Sequence, residues 1–64
     1  PRQLRVLEEL EQVSKRLKEL NEFIDGGSET FASLPDAEQS RLREQATYMA
    51  DYQDVLIRRV VAFS

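Results

Sequence analysis

Three polar side chains recur at seven-residue intervals in the second half of the chain: Gln45, Tyr52 and Arg59. They offer an amide that can read a base edge, a ring on which a base or sugar can lie, and a guanidinium suited to a phosphate. Seven residues are close to two helical turns, so the three would form one stripe along a helix, here called the polar stripe. Hydrogen bonding within an interface between chains is the alternative interpretation.

A ligand site built on the polar stripe needs more than one helix. Its members lie two turns apart, so one small ligand cannot touch all three from a single chain. Antiparallel packing of two copies could bring them together. Arg16, beside the apolar seam of an earlier helix, could add positive charge to such a site.

Catalysis would require an activated nucleophile, an acid and base with tuned pKa values, or a metal. The sequence contains no His and no Cys, so disulfides and the usual zinc or redox sites are excluded. Its acidic residues fall mainly on solvated helix faces. We therefore expect no enzyme, no metal and no cofactor.

The polar stripe lies on a long predicted helix that spans about residues 34–62. Ser33 can cap its start, and Pro35 stands where a first-turn proline costs no hydrogen bond. No Gly or Pro follows Pro35, so the helix can run uninterrupted to its end.

A shorter amphipathic helix is predicted over about residues 2–24, ahead of a glycine-containing turn over residues 25–33. Its apolar seam consists of Val6, Leu10, Val13, Leu17, Leu20 and Ile24. Gly26 and Gly27 stop the helix, and Phe31 can sit in one short helical turn capped by Ser28. The prediction is a single all-α domain, residues 1–64, folded as an antiparallel two-helix hairpin.

The end of the second helix carries more apolar surface than one hairpin can cover. Its apolar residues span more than half of the helix circumference, so we expect hairpins to assemble into a homodimeric or homotetrameric helical bundle. Gln53 falls within this face and would hydrogen-bond to its symmetry mate. The predicted oligomer interface comprises Met49, Gln53, Leu56, Ile57, Val60, Val61 and Phe63.

Charge and hydropathy narrow the classes of partner. The formal net charge of −3 argues against a protein that coats a long nucleic acid. No apolar run is long enough for a membrane span, and no basic segment followed by an apolar core marks a secretion signal. Asp51 and Asp54 argue against a helix lying on a membrane surface. We expect a soluble, unexported protein.

The sequence resembles a widespread family of very short phage-encoded helical proteins, related to a small protein of a crAss-like phage. The residues that carry the resemblance in the first helix are Arg5-Val6-Leu7-Glu8-Glu9, Lys15-Arg16-Leu17, Leu20 and Phe23-Ile24. Those in the rest of the chain are Phe31, Leu34, Glu38, Leu42-Arg43-Glu44-Gln45, Met49, Tyr52, Leu56 and Arg59-Val60. Leu10 and Pro35-Asp36-Ala37 depart from the family pattern, which is more charged there.

The resemblance implies a phage protein that acts in the cytoplasm of the infected bacterium. Similar proteins assemble into oligomers that sequester the cyclic nucleotide signals of bacterial immunity, as sponges of CBASS or Thoeris signalling. At matching positions, the implied ligand contacts are Gln45, Tyr52 and Arg59, with Arg16 as a weaker fourth. The alternative is a non-enzymatic oligomeric adaptor whose apolar helix binds a host or phage protein.

Overall fold

The computed structural model describes residues 2–63, whose regular secondary structure is entirely helical, which confirms the all-α part of the predicted fold class. Helix α1 spans Arg2–Asp25, the single-turn helix α2 spans Glu29–Ala32, and helix α3 spans Asp36–Phe63. The molecule is elongated, with extents of 44 × 15 × 15 Å. None of these helices combines the length and hydropathy required to span a bilayer.

Two glycines end α1, as the sequence predicts. The Gly26 N–H donates to the Glu22 carbonyl oxygen at 2.9 Å, and a Cβ placed on Gly26 would overlap that same oxygen. Gly27 follows with φ of 78°, in the left-handed region that side chains disfavour. The chain can therefore leave α1 sharply only because both positions lack a side chain.

Helix α2 connects the two long helices through Phe31. The Ser28 hydroxyl oxygen accepts a hydrogen bond from the Phe31 N–H at 3.3 Å, which is the predicted N-cap. The Phe31 ring is buried and meets the Phe23 ring of α1 edge to face, with centroids 5.6 Å apart. The Arg43 guanidinium of α3 lies 5.2 Å from the Phe31 ring centroid, a cation–π contact. One side chain thus touches both long helices.

The start of α3 differs from the prediction. The helix begins at Asp36 rather than Leu34, and the Ser33 hydroxyl donates to the Thr30 carbonyl oxygen of α2 at 2.9 Å instead of capping α3. The Pro35 carbonyl oxygen accepts the first hydrogen bonds of α3, so Pro35 precedes the helix rather than occupying its first turn. The reason is local competition, since the free carbonyls at the end of α2 are nearer to Ser33.

The core lies between α1 and α3. Val6, Val13 and Leu56 form a buried cluster, with Leu10 and Val60 packed against it. The last third of α3 therefore packs on the first half of α1. Leu56 is only 1% exposed, the most buried side chain of this cluster.

A polar contact continues the packing toward the middle of both helices. The Gln53 side-chain amide donates to the Ser14 hydroxyl oxygen at 2.9 Å. Both residues are half-buried, so each supplies the partner that the other needs away from water. Together with the core cluster, this hydrogen bond fixes the register of α1 against α3.

Candidate functional site

The polar stripe lies along an exposed edge of α3. Gln45 and Arg59 are exposed, and Tyr52 is 46% exposed. At 1.5 Å per residue, each member stands about 10 Å from the next along the helix axis. The structure therefore presents the three side chains to solvent but does not bring them into mutual contact.

Two members of the polar stripe share a shallow groove on the surface of α3. The groove has a volume of about 410 Å³ and is called the tyrosine groove below. Its lining residues are Arg41, Glu44, Gln45, Tyr48, Met49 and Tyr52. All six lie on α3, so the helical repeat alone positions them. Arg59 and Arg16 lie outside this groove.

Two side-chain hydrogen bonds orient the residues that line the tyrosine groove. The Gln45 side-chain amide donates to the Met49 sulfur at 3.9 Å, a weak contact that turns the amide along the helix. The Tyr48 hydroxyl donates to a Glu44 carboxylate oxygen at 3.0 Å. This hydrogen bond, together with the negative charge of Glu44, raises the pKa of Tyr48 above its usual value. The neutral phenol of Tyr48 is therefore favoured over the phenolate.

Arg41 supplies the positive charge of the tyrosine groove. Its guanidinium pairs with the Glu38 carboxylate at 2.8 Å, and both side chains are largely exposed. Such a surface pair is weak and readily exchanged for another anion. For Arg59, the structure records no ion pair within residues 2–63. Both arginines are thus accessible to a phosphate.

Arg16 lies on the other long helix. The Gln53–Ser14 hydrogen bond places Arg16 at about the level of Tyr52 along the molecule, because the two helices rise 1.5 Å per residue from that contact. Arg16 is exposed. It lies near the middle of the polar stripe along the long axis, without forming part of the groove.

Three of the predicted interface residues are used inside the chain. Leu56 is buried and Val60 half-buried against α1. Gln53, expected to face its symmetry mate, finds its partner in Ser14 of the same chain. The physical reason is that α1 covers this face of α3, which satisfies the amide locally.

The remaining predicted interface residues are more open. Ile57 is 43% exposed, Val61 66% and Phe63 37%, while Met49 is half-buried beside the tyrosine groove. Leu4 and Leu7 of α1 are also about half exposed. The chain alone leaves these apolar side chains in water.

A second groove, of about 590 Å³, lies between α1 and α3. Its lining residues are Ser14, Leu17, Lys18, Asn21, Glu22, Asp25, Gly26 and Gln53. It contains no aromatic ring, and its two carboxylates outnumber its one lysine. The tyrosine groove is the better match for an aromatic anion despite its smaller volume. Residues 2–63 hold no cluster of three or more side chains suited to a metal ion.

The site predicted from the sequence, which comprises Gln45, Tyr52, Arg59 and Arg16, includes neither Arg41 nor Tyr48. Tyr48 is 63% exposed and lies one turn before Tyr52, and Arg41 lies one turn before Gln45. The signal that identifies them is the four-residue spacing along the same helix edge. A stripe defined by seven-residue steps alone passes over both residues.

Comparison with known proteins places this chain in a family. No curated protein and no solved structure matches the chain. The family model named Sequestin matches residues 1–62, which is nearly the whole sequence, and the name denotes sequestration of another molecule. The chain therefore belongs to the Sequestin family.

Proposed function

We propose that this protein is a phage anti-defence protein that binds and sequesters a cyclic nucleotide or cyclic dinucleotide immune signal without cleaving it. The observation that carries the proposal is membership of the Sequestin family over residues 1–62. A sequestering protein needs a binding site and no catalytic group. Its place of action would be the cytoplasm of the infected bacterium.

The tyrosine groove supplies the chemistry that such a ligand requires. The rings of Tyr48 and Tyr52 stand exposed beside each other and can stack on purine or pyrimidine bases, a contact worth about 1–3 kcal/mol per base. The Gln45 amide can hydrogen-bond to a base edge. Arg41 can exchange its Glu38 partner for a phosphate oxygen.

The unit of assembly in this proposal is an antiparallel hairpin of α1 and α3. Two or four copies would pack through the exposed apolar side chains of α3, which lie beside the tyrosine groove as well as at Ile57, Val61 and Phe63. A small molecule that bridges copies gains contacts from each of them. Assembly would therefore raise the affinity of a groove that is shallow in one chain.

The proposal is tested by titration calorimetry against a panel of cyclic mononucleotides and dinucleotides. We expect binding at micromolar concentration or tighter to at least one of them, and mass spectrometry should recover that ligand intact after the protein is denatured. An absence of binding to the whole panel would refute the proposal. A cleaved ligand would refute sequestration without turnover.

Two arginine variants locate the site. Arg41 and Arg58 both lie on α3, and both form exposed ion pairs within the helix, with Glu38 and Asp54 respectively. Arg41→Gln should weaken ligand binding about tenfold or more, because a charge-assisted hydrogen bond is lost. Arg58→Gln is the matched control and should bind as the unchanged protein does.

A second candidate function is favoured by the exposed apolar side chains Leu4, Leu7, Ile57 and Val61. An oligomeric adaptor would use such a surface to hold a host or phage protein. A stoichiometric protein partner, recovered from infected cells and retained by Arg59→Ala but lost from Val61→Asp, would support this function. Retention by both variants would argue against it.

A further inference from the structure

The exposed edge of α3 is nearly symmetric in its residue types. Arg41 and Arg59 lie nine residues before and after Ala50, and Tyr48 and Tyr52 lie two residues before and after it. Because a helix turns about 100° per residue, all four side chains point within about 20° of one direction, opposite to Ala50. Reversing the helix direction therefore superimposes arginine on arginine and tyrosine on tyrosine.

The chain exposes more surface than a compact monomer of its mass. The accessible surface is 4995 Å², whereas a folded monomer of this mass exposes about 4,200 Å². The difference of about 800 Å² is what one partner contributes to a standard protein interface. On this edge the side chains to be covered are Tyr48, Tyr52 and Val55, which are 63%, 46% and 42% exposed.

We propose that two copies of this chain pair antiparallel along this edge, about a two-fold axis level with Ala50, and that each pairing creates two composite anion sites. In each site Arg41 of one copy lies beside the partner's Arg59. The tyrosines of both copies meet at the centre. Neither anion site is complete in one chain.

Charge explains why these sites require a ligand. Two guanidinium groups placed side by side repel each other, and Glu38 neutralises only Arg41 through its ion pair. Arg59 has no such partner within residues 2–63. A phosphate held between the two arginines removes the repulsion, so an anion and the pairing of copies stabilise each other.

The composite sites indicate the shape of the ligand. This inference rests on the proposed function. Each arginine pair lies about 10 Å from the central tyrosines along the helix axis. That separation suits a molecule with a phosphate at one end and a base at the other. The two-fold axis makes the sites equivalent, so the expected stoichiometry is one ligand per chain.

Single cysteines test the pairing directly, because the sequence contains none of its own. Copies carrying Arg41→Cys should cross-link through a short bismaleimide to copies carrying Arg59→Cys when the two are mixed. Neither variant should cross-link efficiently alone, since two copies of either position lie about 27 Å apart along the paired helices.

Three results would overturn this arrangement. Cross-linking of Arg41→Cys alone would mean parallel pairing. Preferential cross-linking of Gln45→Cys to Arg59→Cys would move the two-fold axis to Tyr52. Monomer in every mixture would show that this edge does not pair.

Inorganic pyrophosphate tests the anion sites without reference to any nucleotide. Sedimentation equilibrium of the unchanged protein should show at least a fivefold tighter dimer in pyrophosphate than in chloride at matched ionic strength. Arg41→Gln and Arg59→Gln should each abolish that response, while Arg58→Gln, as the control, should keep it. A dimer indifferent to pyrophosphate would refute the anion sites.

The two proposals fail in distinguishable ways. Mixed cross-linking with a pyrophosphate response, but no binding of any cyclic nucleotide, would sustain the composite sites and refute the immune signal as their ligand. Cyclic nucleotide binding without mixed cross-linking would sustain the function and refute the paired edge.

Discussion

At the scale of single residues, the hydrogen bond from Gln53 to Ser14 places Gln53 on the face of α3 that packs against α1. A half-buried amide without a partner costs free energy, whether the partner comes from the same chain or from another. Here Ser14 supplies it at 2.9 Å. The Gln53 amide therefore has a hydrogen-bond partner within its own chain and needs none from a second copy.

Ser14→Ala tests this assignment. It should lower the free energy of unfolding by about 1 kcal/mol, because the Gln53 amide keeps its burial and loses its partner. Urea unfolding measures the change. In a double-mutant cycle, Gln53→Leu should cost much less in the Ser14→Ala background than alone. Additive effects would mean that Gln53 finds its partner elsewhere.

Tyr48 has a perturbed ionisation in the tyrosine groove. Its hydroxyl donates to Glu44, and the pKa of Tyr48 is raised by that hydrogen bond first and by the carboxylate charge second. A raised pKa in the folded state favours the neutral phenol. The associated stabilisation is present below the ordinary tyrosine pKa of about 10 and is lost as pH rises through the raised value.

Ultraviolet titration of Tyr48 should follow this account. In a Tyr52→Phe background, which leaves Tyr48 as the single tyrosine, Glu44→Gln should move the pKa of Tyr48 down toward 10. Asp51→Asn is the matched control and should move it less, because Asp51 is the smallest contributor. Equal shifts from the two variants would contradict the Glu44 hydrogen bond.

At the scale of elements, α3 presents two kinds of apolar surface in adjacent residues. Leu56 is 1% exposed and packs on Val6 and Val13 of α1, whereas Ile57 is 43% exposed. The helix turns about 100° between them. One residue thus belongs to the core and the next is available to a partner.

Leu56→Ala and Ile57→Ala should therefore separate folding from association. Leu56→Ala should destabilise the fold by about 2–5 kcal/mol, the usual range for a buried leucine, which leaves a domain of this size partly or wholly unfolded. Ile57→Ala should keep its helical circular dichroism and weaken self-association. Comparable loss of helix in both would mean that α1 and α3 do not pack as described.

At the scale of the whole molecule, shape and surface argue for assembly. A body of 44 × 15 × 15 Å is only two helices thick, so most side chains have one face in water. Apart from Phe63 at the end of α3, the large apolar side chains left exposed occupy two separate regions: Tyr48, Tyr52 and Val55 in one, and Leu4, Leu7, Ile57 and Val61 in the other. In the proposed assembly, each region would form one of the two kinds of interface in a dimer of dimers.

Self-association should accordingly stabilise the fold by mass action. The melting temperature should rise with protein concentration over the micromolar range, since partners bind only the folded chain. Val61→Asp should reduce a tetramer to a dimer in sedimentation velocity, while the mixed cross-link between Arg41→Cys and Arg59→Cys copies persists in its background. A folded monomer at micromolar concentration would contradict the surface argument.

Local rules determined much of this protein. The apolar spacing of Val6, Val13 and Leu17 specified α1 and its buried face, the glycines ended it, and Ser28 capped α2 as expected. These features depend on residues within a turn or two of each other, so helical period and capping chemistry suffice to predict them.

The tertiary structure decided which side chains remain available. Periodicity places Gln53, Leu56 and Ile57 on the apolar side of α3, but it cannot say which of them α1 will cover, because that depends on how two helices lie against each other. Ser33 was likewise assigned to α3 by pattern and taken by α2 in the fold, since two helix ends compete for one hydroxyl. The grouping of Gln45 and Tyr52 with Arg41 and Tyr48, by contrast, follows from their spacing along α3. The tertiary structure decided only that this edge of α3 stays exposed, because that depends on which face of α3 packs against α1.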